Sequence, residues 1–77
     1  MVRYADRIIG VLLTKQELMS LNPWKRMEFT ATAISSKVGG KRNYIYHPLK
    51  DLREAGIIGR LETHRAYGGH FIYYKED

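Results

Sequence analysis

The residues best suited to chemistry in this chain lie between Lys37 and Lys50. Lys41, Arg42 and Asn43 follow a Gly39-Gly40 pair, and Asn43, His47, Lys50 and Glu54 then fall on one side of a helix with Tyr46 on its flank. These side chains suit a nucleic acid. Arg42 carries a planar fork that matches the O6 and N7 acceptors of guanine, and Asn43 can pair bidentately with adenine. Lys41 and Lys50 suit phosphates, which contribute affinity and salt dependence without sequence information. Tyr46 can donate to a phosphate or pack on a thymine methyl. Four basic residues (Lys37, Lys41, Arg42 and Lys50) and no acidic one occupy positions 37–50. The bland alternative is a solvated face that happens to be positive.

Other chemistry is poorly provided for. His47, His64 and His70 match no standard metal spacing, and the chain has no cysteine to join them. Neither a Ser-His-Asp set nor a pair of carboxylates placed for acid–base work stands out. Gly39-Gly40-Lys41 lacks the spacing and the preceding strand of a phosphate loop. The expectation is therefore a protein that is not an enzyme, with no cofactor, no metal and no evident small-molecule ligand.

Composition agrees with a binding module. Seventy-seven residues make a single domain, 1–77. A chain of this size buries only about 60% of its unfolded surface, so its core is thin. Thirteen Lys and Arg oppose eight Asp and Glu for a net +5, and the pI is near 9.7. That balance points first to nucleic acid and second to a membrane surface. The apolar run Ile8-Ile9-Gly10-Val11-Leu12-Leu13 is far short of the roughly 20 residues that span a bilayer. With no signal peptide evident, a soluble cytoplasmic protein is expected.

Several elements must position these residues. Ile8 and Leu12, continued by Gln16 or Met19, fall at helical spacing and predict one helix over 3–21, which Asn22-Pro23 stops. Gly10 inside it marks close helix packing or is simply tolerated. Residues 23–26 read as a connector, with Trp24 a lid on the core edge, and 27–29 as a short extended piece. Thr30 or Thr32 caps a helix over 31–38 that buries Ile34 and Val38 and ends at Gly39. A second helix over 42–55 buries Ile45, Leu49 and Leu52 and is closed by Gly56. Residues 60–65 and 70–74 read as strands joined by a turn at Ala66-Tyr67-Gly68-Gly69. The tail 75–77 is expected to fray.

The run Glu28-Phe-Thr-Ala-Thr-Ala-Ile-Ser-Ser-Lys-Val-Gly39, followed by Leu49-Lys-Asp-Leu52-Arg-Glu-Ala-Gly56-Ile-Ile58, resembles winged helix-turn-helix transcription regulators of the ArsR and MarR repressor types. The resemblance covers about two-thirds of the chain. It implies an α+β fold of three helices, a short strand and a C-terminal β-hairpin wing. It further implies that the helix starting near Lys41 enters the major groove of double-stranded DNA and that the wing touches the DNA backbone or minor groove. The positions carried over are Lys41, Arg42, Asn43, Tyr46, His47 and Lys50 on the helix, with Arg60, His64, Arg65 and His70 in the wing. The cysteines of metal-sensing relatives are missing, so metal sensing does not carry over.

Pro48 departs from this pattern. It has no N–H for the Tyr44 carbonyl, and its ring crowds that carbonyl, at a cost of about 3 kcal/mol inside a helix. Either the helix kinks there, or it begins near Pro48 and 41–47 form a separate turn. The expected function is a DNA-binding transcriptional regulator, acting as a homodimer joined through its first helix, whose apolar residues exceed what one small core can cover. The alternative is a winged helix that binds protein within a larger assembly. RNA binding is a third reading and needs exposed stacking aromatics such as Tyr44, Tyr46 and Tyr67.

Overall fold

The computed structural model of the chain describes residues 3–62 and 70–76. The described residues form a small α+β domain with five α-helices, one 3-10 turn and two antiparallel strands. The helices are α1 (Tyr4–Val11), α2 (Lys15–Met19), α3 (Pro23–Arg26), α4 (Ala31–Val38) and α5 (Arg42–Glu54); the strands are β1 (Ile58–Glu62) and β2 (Phe71–Lys75). The expected turn at 66–69, His64, Arg65 and the end of the expected first strand lie outside the described residues.

The segment from α4 to β1 follows its local signals. Thr30 is extended and its hydroxyl accepts from the Ala33 N–H at 3.3 Å, capping α4. Gly39 closes α4 in the left-handed region at φ 78°, and Gly56 does the same beyond α5 at φ 75°. Between the helices the buried Ser35 hydroxyl donates to the Gly40 carbonyl at 2.9 Å, which pins the turn. Tyr4 of α1 lies against that turn so closely that a Cβ on Gly40 would collide with its hydroxyl. Ile34 and Val38 of α4 meet Ile45, Leu49 and Leu52 of α5 in one core with Ile8, Leu18 and Ile58. Pro48 does not split α5, which runs unbroken from Arg42; the alternative of a helix beginning near Pro48 is thereby set aside.

The N-terminal third departs from expectation. The single helix over 3–21 is two helices, because Leu12 and Thr14 are extended. The backbone explains the break. The Lys75 N–H donates to the Leu13 carbonyl at 2.8 Å, so that carbonyl is spent on β2 rather than on a helical turn. Thr14 then restarts the helix with a capping box, its hydroxyl accepting from the Glu17 N–H while the Glu17 carboxylate accepts from the Thr14 N–H. This restart shifts the helical phase: Leu18 is fully buried, while Gln16 and Met19 are exposed.

The connector at 23–26 is a helix rather than a loop. Asn22 caps it by accepting from the Lys25 N–H at 3.0 Å, and Pro23 occupies its first turn. The pair read as a stop is therefore a start. Trp24 is 73% exposed and forms no lid on the core. Nothing lies within 4 Å of a Cβ placed on Gly10, so close packing does not account for that glycine. Residues 27–29 form the 3-10 turn instead of a strand, and the expected short strand shrinks to a single antiparallel bridge, Thr30 to Ile72. Three helices thus become five.

The strands pair from Ile58 with Lys75 to Glu62 with Phe71. Strand β1 starts two residues earlier than expected, and Ile57 stands outside it, exposed. Lys75 and Glu76 are not a frayed tail, since the Glu76 N–H donates to the Ile57 carbonyl at 2.9 Å. No helix among the described residues is long and apolar enough to cross a membrane.

Candidate nucleic-acid interface

Helix α5 carries the expected side chains outward. Burial of Ile45, Leu49 and Leu52 fixes its rotation, and Lys41, Arg42, Asn43, Tyr46, His47 and Lys50 are all exposed in consequence. Lys41 itself is the extended N-cap residue; its carbonyl accepts from the Tyr44 N–H at 3.0 Å, but its side chain makes no capping bond.

The electrostatics of this end are lopsided. The first turn of α5 holds no acidic residue, and Lys41 and Arg42 stand where the helix dipole is already positive. Cations at a helix N-terminus are unfavourable by a few tenths of a kcal/mol or more, in the sense that anions there are favourable. Lys41, Arg42 and Lys50 make no ion pair among the described residues. His47 does have a partner, with its Nε2 3.5 Å from an Asp51 carboxylate oxygen in an exposed i,i+4 arrangement. Lys37, the other member of the basic run, rests over the ring of Phe29, in the 3-10 turn before α4, at 4.4 Å.

The strand residues sit less freely. Arg60 is half-buried, and its guanidinium carbon lies 3.9 Å from the centroid of the Phe71 ring. The register pairs Arg60 with Tyr73, so Phe71 is its diagonal neighbour on the same face. His70 is exposed.

A cleft of about 140 Å³ joins the two regions, lined by Thr30, Ala31, Thr32, Tyr46, His70, Phe71 and Tyr73. Tyr46 of α5 and His70 beside β2 thus share one concavity, and Arg60 adjoins it through Phe71. Sequence reasoning missed Phe71, Thr32 and Tyr73 here. Phe71 follows His70 directly, yet only the strand register shows that it carries Arg60.

Among the described residues no group of three or more His, Asp or Glu is placed to hold a metal ion. No protein-family model matches the chain, and no curated protein or solved structure matches it significantly.

Proposed function

We propose that the chain is a winged helix-turn-helix transcriptional regulator that binds double-stranded DNA. In this reading α4, the Gly39-Gly40 turn and α5 form the helix-turn-helix, and the β1–β2 pair is the wing. The carrying observation is the N-terminal half of α5, where Lys41, Arg42, Asn43, Tyr46, His47 and Lys50 are exposed together without an acidic neighbour up to residue 50. An incoming phosphate near Lys41 would relieve the clash of cations with the positive helix end. Arg42 and Asn43 read base edges, while Lys41, Lys50 and Arg60 serve the backbone.

The same reading takes the protein as a homodimer joined through α1, using the half-buried Ile9 and Val11. A symmetric pair would contact half-sites about 34 Å apart. Light scattering on the folded protein gives the mass.

The test of binding is a gel shift on random duplex at low salt, followed by site selection. Retardation that weakens steeply with salt is expected. Folded protein that shifts no duplex at low salt overturns the proposal. A second reading, a winged helix that docks on protein, draws on the exposed Met19 and Trp24 on the α2–α3 side. It calls for a partner held regardless of salt.

A further inference from the structure

Charge is distributed unevenly around the axis of α5 as well as along it. With Ile45 at the centre of the buried stripe and about 100° of rotation per residue, Arg42, Arg53, Tyr46 and Lys50 stand at about 60°, 80°, 100° and 140°. Asp51 and Tyr44 stand on the opposite shoulder, at about 240° and 260°. Between the shoulders, the outermost line of the helix holds Asn43, Glu54 and His47. One shoulder of α5 thus carries three cations and no carboxylate, the other a carboxylate and no cation.

The cationic shoulder is the one turned toward β2. Tyr46, in its middle, lines the cleft with His70 and Phe71, and Arg60 stacks on Phe71 at 3.9 Å. Arg42 and Arg53 are about three turns apart, roughly 16 Å along the axis, so the charges form a track rather than a point. None of Arg42, Lys50, Arg53 and Arg60 has an ion pair among the described residues. Asp51 and Glu54 are close to Arg53 in sequence but point elsewhere, since residues one or two apart on a helix do not face each other. Arg53 is half-buried, and its Nε is covered without a hydrogen-bond partner, while its Nη groups are uncovered and bond nothing among the described residues. A half-buried cation left uncompensated is unfavourable, and a phosphate at the Nη groups relieves it. Glu62, the next residue on the Arg60 face of β1, ends the track.

We propose that Arg53 is a phosphate contact and that, within each half-site, the protein holds the backbone of one DNA strand only, the strand on the wing side of α5. The inference rests on the reading of the chain as a duplex binder and gives that binding a side. Lys50, Arg53 and Arg60 take the phosphates of the wing-side strand, with Arg42 at the head of the track free for a base edge. Tyr44 and Asp51 turn toward the other strand, to which Asp51 brings a charge of the same sign as its phosphates.

Fluorescence anisotropy of the full chain with a duplex obtained by site selection, read at several salt concentrations, tests it. Uncharged methylphosphonate linkages are placed in one strand of a half-site at a time. In one strand they should weaken binding roughly tenfold or more and flatten its salt dependence, and in the other by less than about threefold. Arg53→Gln, in protein shown to be folded by circular dichroism, should lower the slope of log affinity against log salt by about 1 on every sequence. It should also remove part of the penalty seen in the sensitive strand and none of that in the other. Arg53→Lys keeps the charge and should keep the slope. Equal sensitivity of the two strands overturns the proposal. So does a slope that Arg53→Gln leaves unchanged, or one that Arg53→Lys lowers as far as Arg53→Gln does. Folded native chain that binds no duplex at low salt sinks the duplex reading and this one together, whereas duplex binding with both strands alike sinks this one alone.

Discussion

The two faces of α5 obey different rules. Its inner stripe, Ile45, Leu49 and Leu52, is buried along the whole length of the helix and packs on α4, α1 and β1. Its outer surface changes character along the same axis: Lys41, Arg42, Asn43, His47 and Lys50 occupy the first part, Asp51 and Glu54 the last. Pro48 stands near the boundary. Packing therefore treats α5 as one rod, while charge changes along it, from a first part that holds cations and no carboxylate to a last part where Asp51 and Glu54 stand beside Arg53. Stability and recognition are carried by different residues of one helix and can be broken separately.

The largest effect belongs to the inner stripe. Ile45→Ala removes a fully buried side chain from the junction of helices and strands. Truncations of this kind cost about 2–5 kcal/mol, against a total of roughly 5–15 kcal/mol for a whole domain. Urea denaturation should show the midpoint collapsing. A midpoint shifted by no more than a surface substitution shifts it would mean that α5 is not anchored by this stripe.

Pro48→Ala sharpens the boundary between the two parts. It restores an N–H where the Tyr44 carbonyl has none, at a site that α5 already passes through in helical form. Proline in a helix interior costs up to about 3 kcal/mol, so a gain of about 1–3 kcal/mol is expected, reduced by whatever half-buried packing the ring supplies. The urea midpoint reads it. A loss of stability would show that the helix depends on the ring's packing more than on its hydrogen bond.

Arg42→Ala works on the outer surface alone. DNA affinity should fall by about 1–3 kcal/mol, with preference relaxed at one base position, while stability stays within about 0.5 kcal/mol. Quantitative gel shifts beside a urea melt measure both. Selectivity left intact would remove Arg42 from base reading.

How far these features can be read from sequence differs by region for a physical reason. From Thr30 to Gly56 the boundaries are set by residues that cap or turn the chain locally, and the apolar spacing agrees with them. In the N-terminal third the deciding contact is between Leu13 and Lys75, which are remote in sequence. Hydrophobic period alone cannot see that bond, so the helix reads as continuous through Leu12. The restart is carried by the Thr14–Glu17 capping box, over which the apolar period runs without a break. Asn22-Pro23 is ambiguous in kind, because the same two residues end one helix or begin another. At the site, the exposed face of α5 follows from its buried stripe, whereas the Arg60–Phe71 stack and the cleft need the β1–β2 register and the approach of α4.

The smallest effect lies in α2, where a surface carboxylate takes part in a fold boundary. The Glu17 carboxyl is held below its usual value of 4.5, first by the backbone hydrogen bond from Thr14 and then by the Thr14 hydroxyl, with the charge of Lys75 adding a lesser pull against slight desolvation. A pKa lowered by folding means that the unfolded chain takes up the proton first. The stabilisation is complete above the unfolded value near 4.5 and disappears as pH falls through the lower folded value. Stability measured from pH 6 downward should therefore decline more in the native chain than in Glu17→Gln, which keeps a hydrogen-bond acceptor but does not titrate. Parallel decline of the two proteins would show that the capping box closes α2 equally well with a neutral side chain, and that the break at Leu12–Thr14 is held by the Lys75 hydrogen bond alone.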